Sequence, residues 1–328
     1  MPLSELAVLE NPRAHVGPST ALLSSSAITP VTESPTQTLP TTVVSRDLAG
    51  DRDVTVADAS RILPLDIAGS IAATVFALGF GDSVIGRDVS TTFADAADLP
   101  VVTSSGHAIS SEAVLALRPT LVITDGTVGP TDVVLQLREA GLTVVYVDAE
   151  PGLAAPGALA RQVAAALGSP ETGELLAERL ESELAAVIAE IETIRPEAES
   201  DRVRILFLYL RGASGVYYLF GEESGADELI EAVGGIDVAG EIGWQGLRPM
   251  TDEALVAANP DLILVMTGGL ESVGGIDALL VEKPAIGLTR AGEQRRFVDM
   301  ADGEVLSFGP RTPAVLDALA RAIYAPGE

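Results

Sequence analysis

The chain contains no cysteine and only two histidines, His15 and His107, among its 328 residues. The lack of cysteine excludes disulfides, thiolate metal sites, iron–sulfur clusters and cysteine nucleophiles. Positive charge is also scarce, because 20 Lys and Arg stand against 47 Asp and Glu, for a net charge of −27. Since binding to phosphates needs a basic surface, this balance argues against nucleic acid and anionic lipid surfaces as partners.

Long apolar runs and familiar enzyme motifs are missing as well. No run of 18 apolar residues could span a membrane, and the first residues lack the basic and apolar regions of a signal peptide. The sequence has no GxGxxG followed by an acidic residue, no GxxxxGK[ST] and no GxSxG. An apolar content of 47% still allows a sizeable core. The composition therefore favours a globular binding protein over an enzyme.

Strand-like and helix-like segments alternate from about residue 46 onward. Apolar runs such as TLVITDG and DLILVMTGG predict buried strands, and periodic segments that end at Gly or Pro predict helices. EVLSF predicts one further short strand near the C-terminus. We therefore predict an α/β fold with two Rossmann-like lobes, each with a central parallel sheet. The segment SPETGELLAERLESELAAVIAEIETIRP predicts one long α-helix between the lobes, with Ser169 as its N-cap and Pro170 as its first residue.

An internal repeat supports the division into two lobes. SSEAVLALRPTLVITDG matches MTDEALVAANPDLILVMTGG, which places Glu112 over Glu253 and His107 over Arg248. Two such lobes leave a cleft beside their strand ends, where open α/β sheets bind ligands. The predicted parts are a flexible Ser/Thr/Pro-rich leader, an N-terminal lobe, a helical connector and a C-terminal lobe: 1–45, 46–155, 156–196 and 197–328.

Three residues are candidates for holding a ligand in that cleft. His107 lies in a small polar turn before a helix, in a loop that we expect to face the cleft. Tyr209 and Arg211 end an apolar strand, where a spacing of two points both side chains the same way. An arginine beside a phenol stabilises the phenolate, which suits ferric iron, including haem iron. Two alternatives stay open: His107 could be a surface histidine, and Tyr209 could cap the core while Arg211 meets a surface acid.

A flat iron porphyrin between a histidine and a tyrosine would need further contacts. Its propionates need cations and hydroxyl donors at the rim, and its ring needs apolar walls. The ordinary fates of such residues, a surface arginine or a core methionine, remain alternatives for each one. The candidates are Arg87, Arg248, Ser104 and Ser105 for the rim, and Trp244 and Met266 for the walls.

The two lobes, the long helix and the repeated pattern E-x-[IVL]-x-x-x-x-P-D-L-[IV]-[IL] resemble the class III periplasmic-type solute-binding proteins of ABC importers. The resemblance covers about residues 46–325. Within that group the chain is most similar to actinobacterial HmuT-type hemin-binding lipoproteins. This resemblance implies that His107 and Tyr209 are the axial ligands of the haem iron and that Arg211 supports the phenolate. It also implies that haem b is a transported ligand and that the protein catalyses no reaction.

The resemblance further implies where the protein works and with what. Glu112 and Glu253 would each contact the permease of the importer, which works with its ATPase; cell-surface haem carriers would be further partners. We expect a monomer, lipid-anchored at the extracellular face of the membrane, with the signal peptide and anchor cysteine upstream of residue 1. A ferric-siderophore or cobalamin receptor of the same class is the main alternative function. A Rossmann-like enzyme is the remote one.

Overall fold

The computed structural model describes residues 1–47, 50–104, 106–148, 150–212, 218–221 and 223–327. The chain forms the two α/β lobes that the alternating pattern predicts. The N-terminal lobe is built on three parallel strands that lie side by side in chain order: β4 (Ile62–Leu65), β5 (Leu121–Thr124) and β6 (Thr143–Tyr146). Every residue of β4 and β5 is buried, as expected for parallel strands that are covered on both faces.

Helices and one hairpin complete the N-terminal lobe. The antiparallel hairpin packs beside β6 and consists of β2 (Thr41–Ser45) and β3 (Arg52–Val56). The helices are α1 (Ser70–Ala77), α2 (Ser111–Leu117), α3 (Thr131–Glu139) and α4 (Ala155–Ala166), with short 3₁₀ turns at Gly81–Ser83 and Ala94–Ala96. The short apolar segment SVIG contributes one bridge, between Val84 and Ile62.

The C-terminal lobe has a seven-stranded mixed sheet. Its strands are β1 (Ser19–Ala21), β7 (Arg204–Tyr209), β8 (Tyr218–Phe220), β9 (Ile236–Asp237), β10 (Leu247–Pro249), β11 (Leu262–Met266) and β12 (Phe297–Met300). The order across the sheet is β1–β12–β11–β7–β8–β10, and β9 pairs with β7. The four neighbouring strands β1, β12, β11 and β7 are parallel to one another, and β8 is antiparallel to both of its neighbours.

Helices on both sides of this sheet are α6 (Ala226–Ala232), α7 (Val238–Glu241), α8 (Asp252–Ala258), α9 (Thr267–Ser272), α10 (Gly275–Glu282), α11 (Arg290–Glu293), α12 (Asp302–Val305) and α13 (Thr312–Tyr324). Short 3₁₀ turns lie at Leu3–Glu5, Pro12–Ala14, Glu199–Asp201 and Ile286–Leu288. The predicted strand EVLSF is wrong, because its first residues form the one-turn helix α12. There Arg311 Nη1 donates to Glu304 Oε1 at 3.2 Å. The periodicity of the sequence cannot reveal such a side-chain contact. In the described part of the chain, no helix combines the length and the apolar character needed to cross a membrane.

The long helix that joins the lobes is α5 (Pro170–Ile194). Its 25 residues span about 37 Å at 1.5 Å per residue. Pro170 is its first residue, and the hydroxyl of the N-cap residue Ser169 bonds to Thr172 Oγ1 at 2.8 Å. Leu180 packs in the core of the N-terminal lobe, whereas Ile191 packs in the core of the C-terminal lobe. One helix therefore contributes to both cores.

Residues 1–45 are not the flexible leader that their composition predicts. Leu3 is fully buried in the core of the C-terminal lobe, and β1 pairs with β12. Arg13 Nε lies 2.7 Å from the buried carboxylate of Asp261. The prediction fails because the segment docks through isolated side chains and short backbone pairings, which leave no period in the sequence. The other boundaries, near residues 155 and 196, stay predictions.

Loops beyond the carboxyl ends of strands from both lobes meet at the boundary between the lobes. Gly303 follows β12, and a Cβ placed on it would lie 2.8 Å from the carbonyl oxygen of Ser90. The same oxygen would lie 3.0 Å from a Cβ on Gly69, which precedes α1 just after β4. Nearby, the Arg311 guanidinium lies 5.8 Å from the centre of the Phe93 ring. Loops that follow strands of both lobes therefore meet here, and we refer to the region beside these strand ends as the cleft.

Candidate ligand-binding cleft

His107 is fixed by its backbone in a tight loop at the cleft edge of the N-terminal lobe. A bridge between Thr103 and Ile109 closes the loop. The His107 N–H donates to the Ser104 carbonyl at 2.9 Å, and the Gly129 N–H donates to the His107 carbonyl at 3.2 Å. His107 has a φ of +57°, which is uncommon for a residue with a side chain and carries a cost in free energy. The loop therefore determines where the imidazole lies.

The imidazole is half-buried, and its Nδ1 has no hydrogen-bond partner among the residues that the structure describes. A buried ring nitrogen without a partner costs free energy, and such atoms are commonly satisfied by a bound ligand or water. His107 is thus placed to offer a nitrogen to a ligand.

Three carboxyls with raised pKa values lie in the N-terminal lobe: Asp66 follows β4, Asp125 follows β5, and Asp88 interacts with His107. Burial raises the pKa of Asp66 well above its usual range, and the charges of Asp125 and Asp88 raise it further. Burial also raises the pKa of Asp88 and of Asp125. For Asp88, backbone N–H donors and the electrostatic interaction with His107 lower the pKa and so act in the opposite direction. Within the described residues, no group of three or more His, Asp and Glu side chains could hold a bare metal ion.

Tyr209 stands at the cleft edge of the other lobe, as the last residue of β7. Arg211 Nη1 donates to the Tyr209 hydroxyl oxygen at 3.4 Å. The register places Tyr218 directly opposite Tyr209, with ring centroids 6.5 Å apart, and the Phe220 ring lies 5.8 Å from Tyr209. We call Tyr209, Tyr218 and Phe220 the aromatic patch. The structure thus brings Tyr209 and Arg211 together, as the spacing predicts.

Met266 is the wall candidate that lies nearest to Tyr209. It ends β11, one position beyond the pair formed by Val265 and Leu208, so it stands beside Tyr209 at the edge of the sheet. Its side chain is partly buried against the core of the C-terminal lobe. A methionine at this place can supply apolar surface to the cleft.

Arg248 and Trp244 lie less directly on the site. Arg248 pairs with Leu219 across β10 and β8, and directly opposed residues share a face of the sheet. That face is opposite to the one that carries Phe220. Trp244 packs against the core cluster that contains Leu208, and its Nε1 is buried with no partner among the described residues. A role for either residue in binding stays a prediction.

The remaining rim candidates have mixed placements. Arg87 donates to the carbonyls of Thr91 at 3.0 Å and Ala97 at 3.4 Å, so its guanidinium closes a loop of its own lobe. Ser104 is exposed beside His107, and its N–H donates to a backbone carbonyl. Ser105 lies outside the described residues. The prediction that these residues contact propionates is not tested by these positions.

Tyr218 and Phe220 were not singled out from the sequence. Their signal is the run of aromatic and apolar residues VYYLF after the Gly-containing segment RGASG, a sequence typical of the second strand of a hairpin. Only the register of β7 and β8 shows that both rings face Tyr209.

Glu112 and Glu253 occupy matching places in the two lobes. Each is exposed in the first turn of its helix, α2 or α8. The N-cap hydroxyls of Ser110 and Thr251 accept the third backbone N–H of those helices at 3.3 and 3.2 Å. The repeat therefore places one exposed carboxylate on each lobe in the same local structure.

Known proteins match this chain over most of its length. A family model described as periplasmic binding protein matches residues 67–302. The uncharacterized ABC transporter substrate-binding lipoprotein YvrC of Bacillus subtilis (strain 168) is 25% identical over 294 residues, which cover 88% of this chain and 87% of that protein.

Solved structures give closer matches. Heme binding protein HmuT is 39% identical with a TM-score of 0.88, over 96% of this chain and 99% of that one. Periplasmic heme-binding protein RhuT from Roseiflexus sp. RS-1 is 39% identical with a TM-score of 0.73, over 81% of this chain and 98% of that one. HmuT has also been solved with a histidine, a tyrosine or an arginine replaced by alanine, and its tyrosine and arginine are two positions apart. From the match to its sequence and its two-lobed fold, this chain belongs to the periplasmic binding protein family.

Proposed function

We propose that this protein is the haem receptor of an ABC importer, and that it holds the iron between His107 and Tyr209. One observation carries the proposal: Tyr209, hydrogen-bonded by Arg211, ends a strand of one lobe, and His107, whose Nδ1 has no partner among the described residues, lies in a loop bonded to the segment that follows β5 in the other lobe. The names of its relatives HmuT and RhuT support haem as the ligand.

The two ligand residues would contribute in different ways. The loop that fixes the His107 backbone presents an imidazole without a large search of conformations, which lowers the entropic cost of binding. Tyr209 would bind as the phenolate, an anionic oxygen that suits ferric iron. The Arg211 guanidinium would offset its negative charge and hold the oxygen in place.

The apolar ring of the haem would lie against the remaining parts of the cleft edge. The aromatic patch and Met266 lie on one face of the sheet. They offer aromatic rings and a thioether as walls for the haem. Propionates would extend toward the rim, where Arg87, Ser105 and Arg248 remain the proposed contacts, with Trp244 as further wall. The chain would bind and release haem without changing it chemically.

The membership of the family supports delivery to a permease and its ATPase. Glu112 and Glu253 would each pair with a basic side chain of the permease, since both carboxylates are exposed at equivalent sites. We propose that the native protein is a lipid-anchored monomer at the extracellular face of the membrane, as the lipoprotein relative suggests. Cell-surface haem carriers would be its donors.

A hemin titration followed by absorption spectroscopy tests the haem site. We expect a shifted Soret band and charge-transfer bands from a phenolate bound to ferric iron, both weakened in His107→Ala and Tyr209→Ala. His15→Ala is the matched control, because it removes the other histidine, which lies near β1. No spectral change with hemin, combined with binding of a ferric siderophore or cobalamin, would replace haem by the alternative ligand. Unchanged spectra in both variants would refute the two axial ligands.

A further inference from the structure

Residues 1–45, which we call the strap, are attached to the C-terminal lobe first. Leu3 is buried in its core, and the Leu3 N–H donates to Glu190 of α5 at 3.0 Å. Arg13 pairs with the buried Asp261 at 2.7 Å. β1 then extends the sheet through β12, and Leu23 packs on the same core. The first half of the strap is therefore a part of the C-terminal lobe.

The second half of the strap is attached to the N-terminal lobe. Ile28 and Leu39 pack on its core. The Val31 N–H donates to the carbonyl of Ala77 at the end of α1 at 2.7 Å. The Thr38 N–H donates to the Gly168 carbonyl at 2.8 Å, just after α4. The strap thus runs over the ends of two helices before its last residues form β2.

Two glycines make room for this path. A Cβ on Gly79 would lie 2.4 Å from the Thr32 carbonyl oxygen, and a Cβ on Gly168 would lie 2.3 Å from the Thr38 carbonyl oxygen. Both glycines also have positive φ, at +88° and +68°. No other residue type could let the strap backbone approach so closely at these positions. The surface of the N-terminal lobe is therefore shaped to receive the strap.

Only four residues, 24–27, cross between the two sets of attachments, and all four are exposed. From Leu23 to Ile28 there are five steps, so an extended chain could reach only about 17 Å. The strap follows α5 on the way, since Arg179 of that helix donates to the Thr29 carbonyl at 3.1 Å. The two lobes are thus connected twice, by α5 and by the strap.

We propose that the strap is a second tie between the lobes, which limits how far the cleft can open. A single helix can bend or tilt where it leaves each lobe, whereas a second, short connection beside it leaves fewer free motions. The strap lies outside residues 67–302, which match the family model. Moreover, 98% of RhuT matches only 81% of this chain, so this chain has segments that RhuT lacks.

Lengthening the crossing tests the tie without detaching it. Inserts of two, six and twelve Gly/Ser residues between Ser25 and Ser26 add slack, and longer exposed loops cost little stability. Spin labels on Asp132→Cys and Val281→Cys would report the distance between the lobes, because the chain has no other cysteine. Both positions are exposed, on α3 and α10.

We expect the distance distribution of the haem-free protein to broaden and to shift to longer distances as the insert grows. The same inserts between Ala140 and Gly141, in an exposed turn within the N-terminal lobe, are the matched control and should change nothing. Unfolding curves recorded for each variant establish that it is folded, and the shortest insert perturbs the chain least. A distribution of constant width across the folded series would overturn the proposal. Because no haem is present, this result does not depend on the proposed function.

Discussion

In the two lobes, equivalent arginines bind the ends of the repeated helices α2 and α8. In each lobe an arginine at the start of the first central strand donates to the two carbonyls that end the helix α2 or α8. The donors, acceptors and distances are Arg61 to Leu117 (2.7 Å) and Arg118 (3.1 Å), and Arg204 to Ala258 and Asn259 (2.9 Å each). Both helices end in a left-handed residue followed by proline. The duplication thus extends from the sequence pattern to single hydrogen bonds.

The candidate ligand residues do not follow this duplication. His107 sits in a loop that enters α2 and is held by backbone bonds, whereas Tyr209 sits at the end of β7 among aromatic rings. The residue that the repeat places over His107 is Arg248, on the exposed strand β10. The difference teaches that the two lobes share the helices α2 and α8 and the arginines that bind them. The candidate ligand atoms, in contrast, come from a loop in one lobe and from a strand in the other.

The largest expected effect, on hemin affinity, comes from removing these candidate ligand atoms. Tyr209→Phe keeps the ring in the aromatic patch but removes the oxygen, so we expect hemin affinity to fall at least about a hundredfold, or about 2.7 kcal/mol. His107→Ala should cost less, because a neutral imidazole compensates less of the iron charge. Hemin titrations of both variants measure the difference. Equal losses would indicate that the two lobes contribute alike.

The next largest effect is expected on the pH dependence of stability, from a buried acid of the C-terminal lobe. Burial raises the pKa of Asp237 to about 6, while its carboxylate caps α7 through the N–H groups of Ala239 and Gly240. Between about pH 4 and about pH 6, the Asp237 carboxyl therefore holds a proton in the folded state that it has lost in the unfolded state. Its stabilising contribution is complete below about pH 4 and disappears as the pH rises through about 6.

Asp237→Asn removes this titration and keeps an oxygen that can cap the helix. We expect the variant to gain about 1 to 3 kcal/mol relative to the parent between pH 4 and pH 7.5. Urea unfolding at the two pH values measures the gain. A constant difference between variant and parent at all pH values would contradict the assignment. Asp66 and Asp88 should leave this comparison unchanged, because they lie in the other lobe.

Most of the fold could be predicted, because its elements carry strong local signals. β5 and β11 are runs of apolar residues between turn signals, and α5 begins at Pro170 with an acid in its first turn. The strap could not be predicted, since Leu3 and Arg13 make contacts with residues more than 180 positions away. Such a segment has the composition of a linker and acquires its order only from the surfaces it meets.

The site could be predicted in part for a related reason. His107 and Tyr209 are chemically unusual in their surroundings, so the sequence can nominate them. The contributions of Asp88 and Phe220 depend on loop closure and on strand register. Both of these are set by tertiary structure. The pairing of Tyr209 with Arg211 is the exception, because the two residues are only two positions apart, although β7 ends at Tyr209 and Arg211 follows it.

The duplicated arginines provide a smaller test of the comparison between the lobes. Arg204 also pairs with the Glu241 carboxylate, at 3.0 Å from Nε, whereas the described hydrogen bonds of the Arg61 guanidinium are to backbone carbonyls. We therefore expect Arg204→Met to lower the free energy of unfolding by about 2 kcal/mol and Arg61→Met by about 1 kcal/mol. Chemical unfolding of both variants provides the measurement. A larger loss for Arg61→Met would show that the cap matters more in the N-terminal lobe.

The smallest effect on the protein alone is expected for the carboxylates that the repeat superposes. Glu112 and Glu253 are exposed and only complement the first turns of their helices, so Glu112→Ala and Glu253→Ala should each change stability by less than about 0.5 kcal/mol. Hemin binding should stay unchanged in both. If the two lobes dock symmetrically on the permease, each variant should reduce haem-dependent stimulation of the importer's ATPase in liposomes to a similar extent. A loss for one variant alone would mean that the equivalence of the lobes ends at the permease, as it does at the ligand.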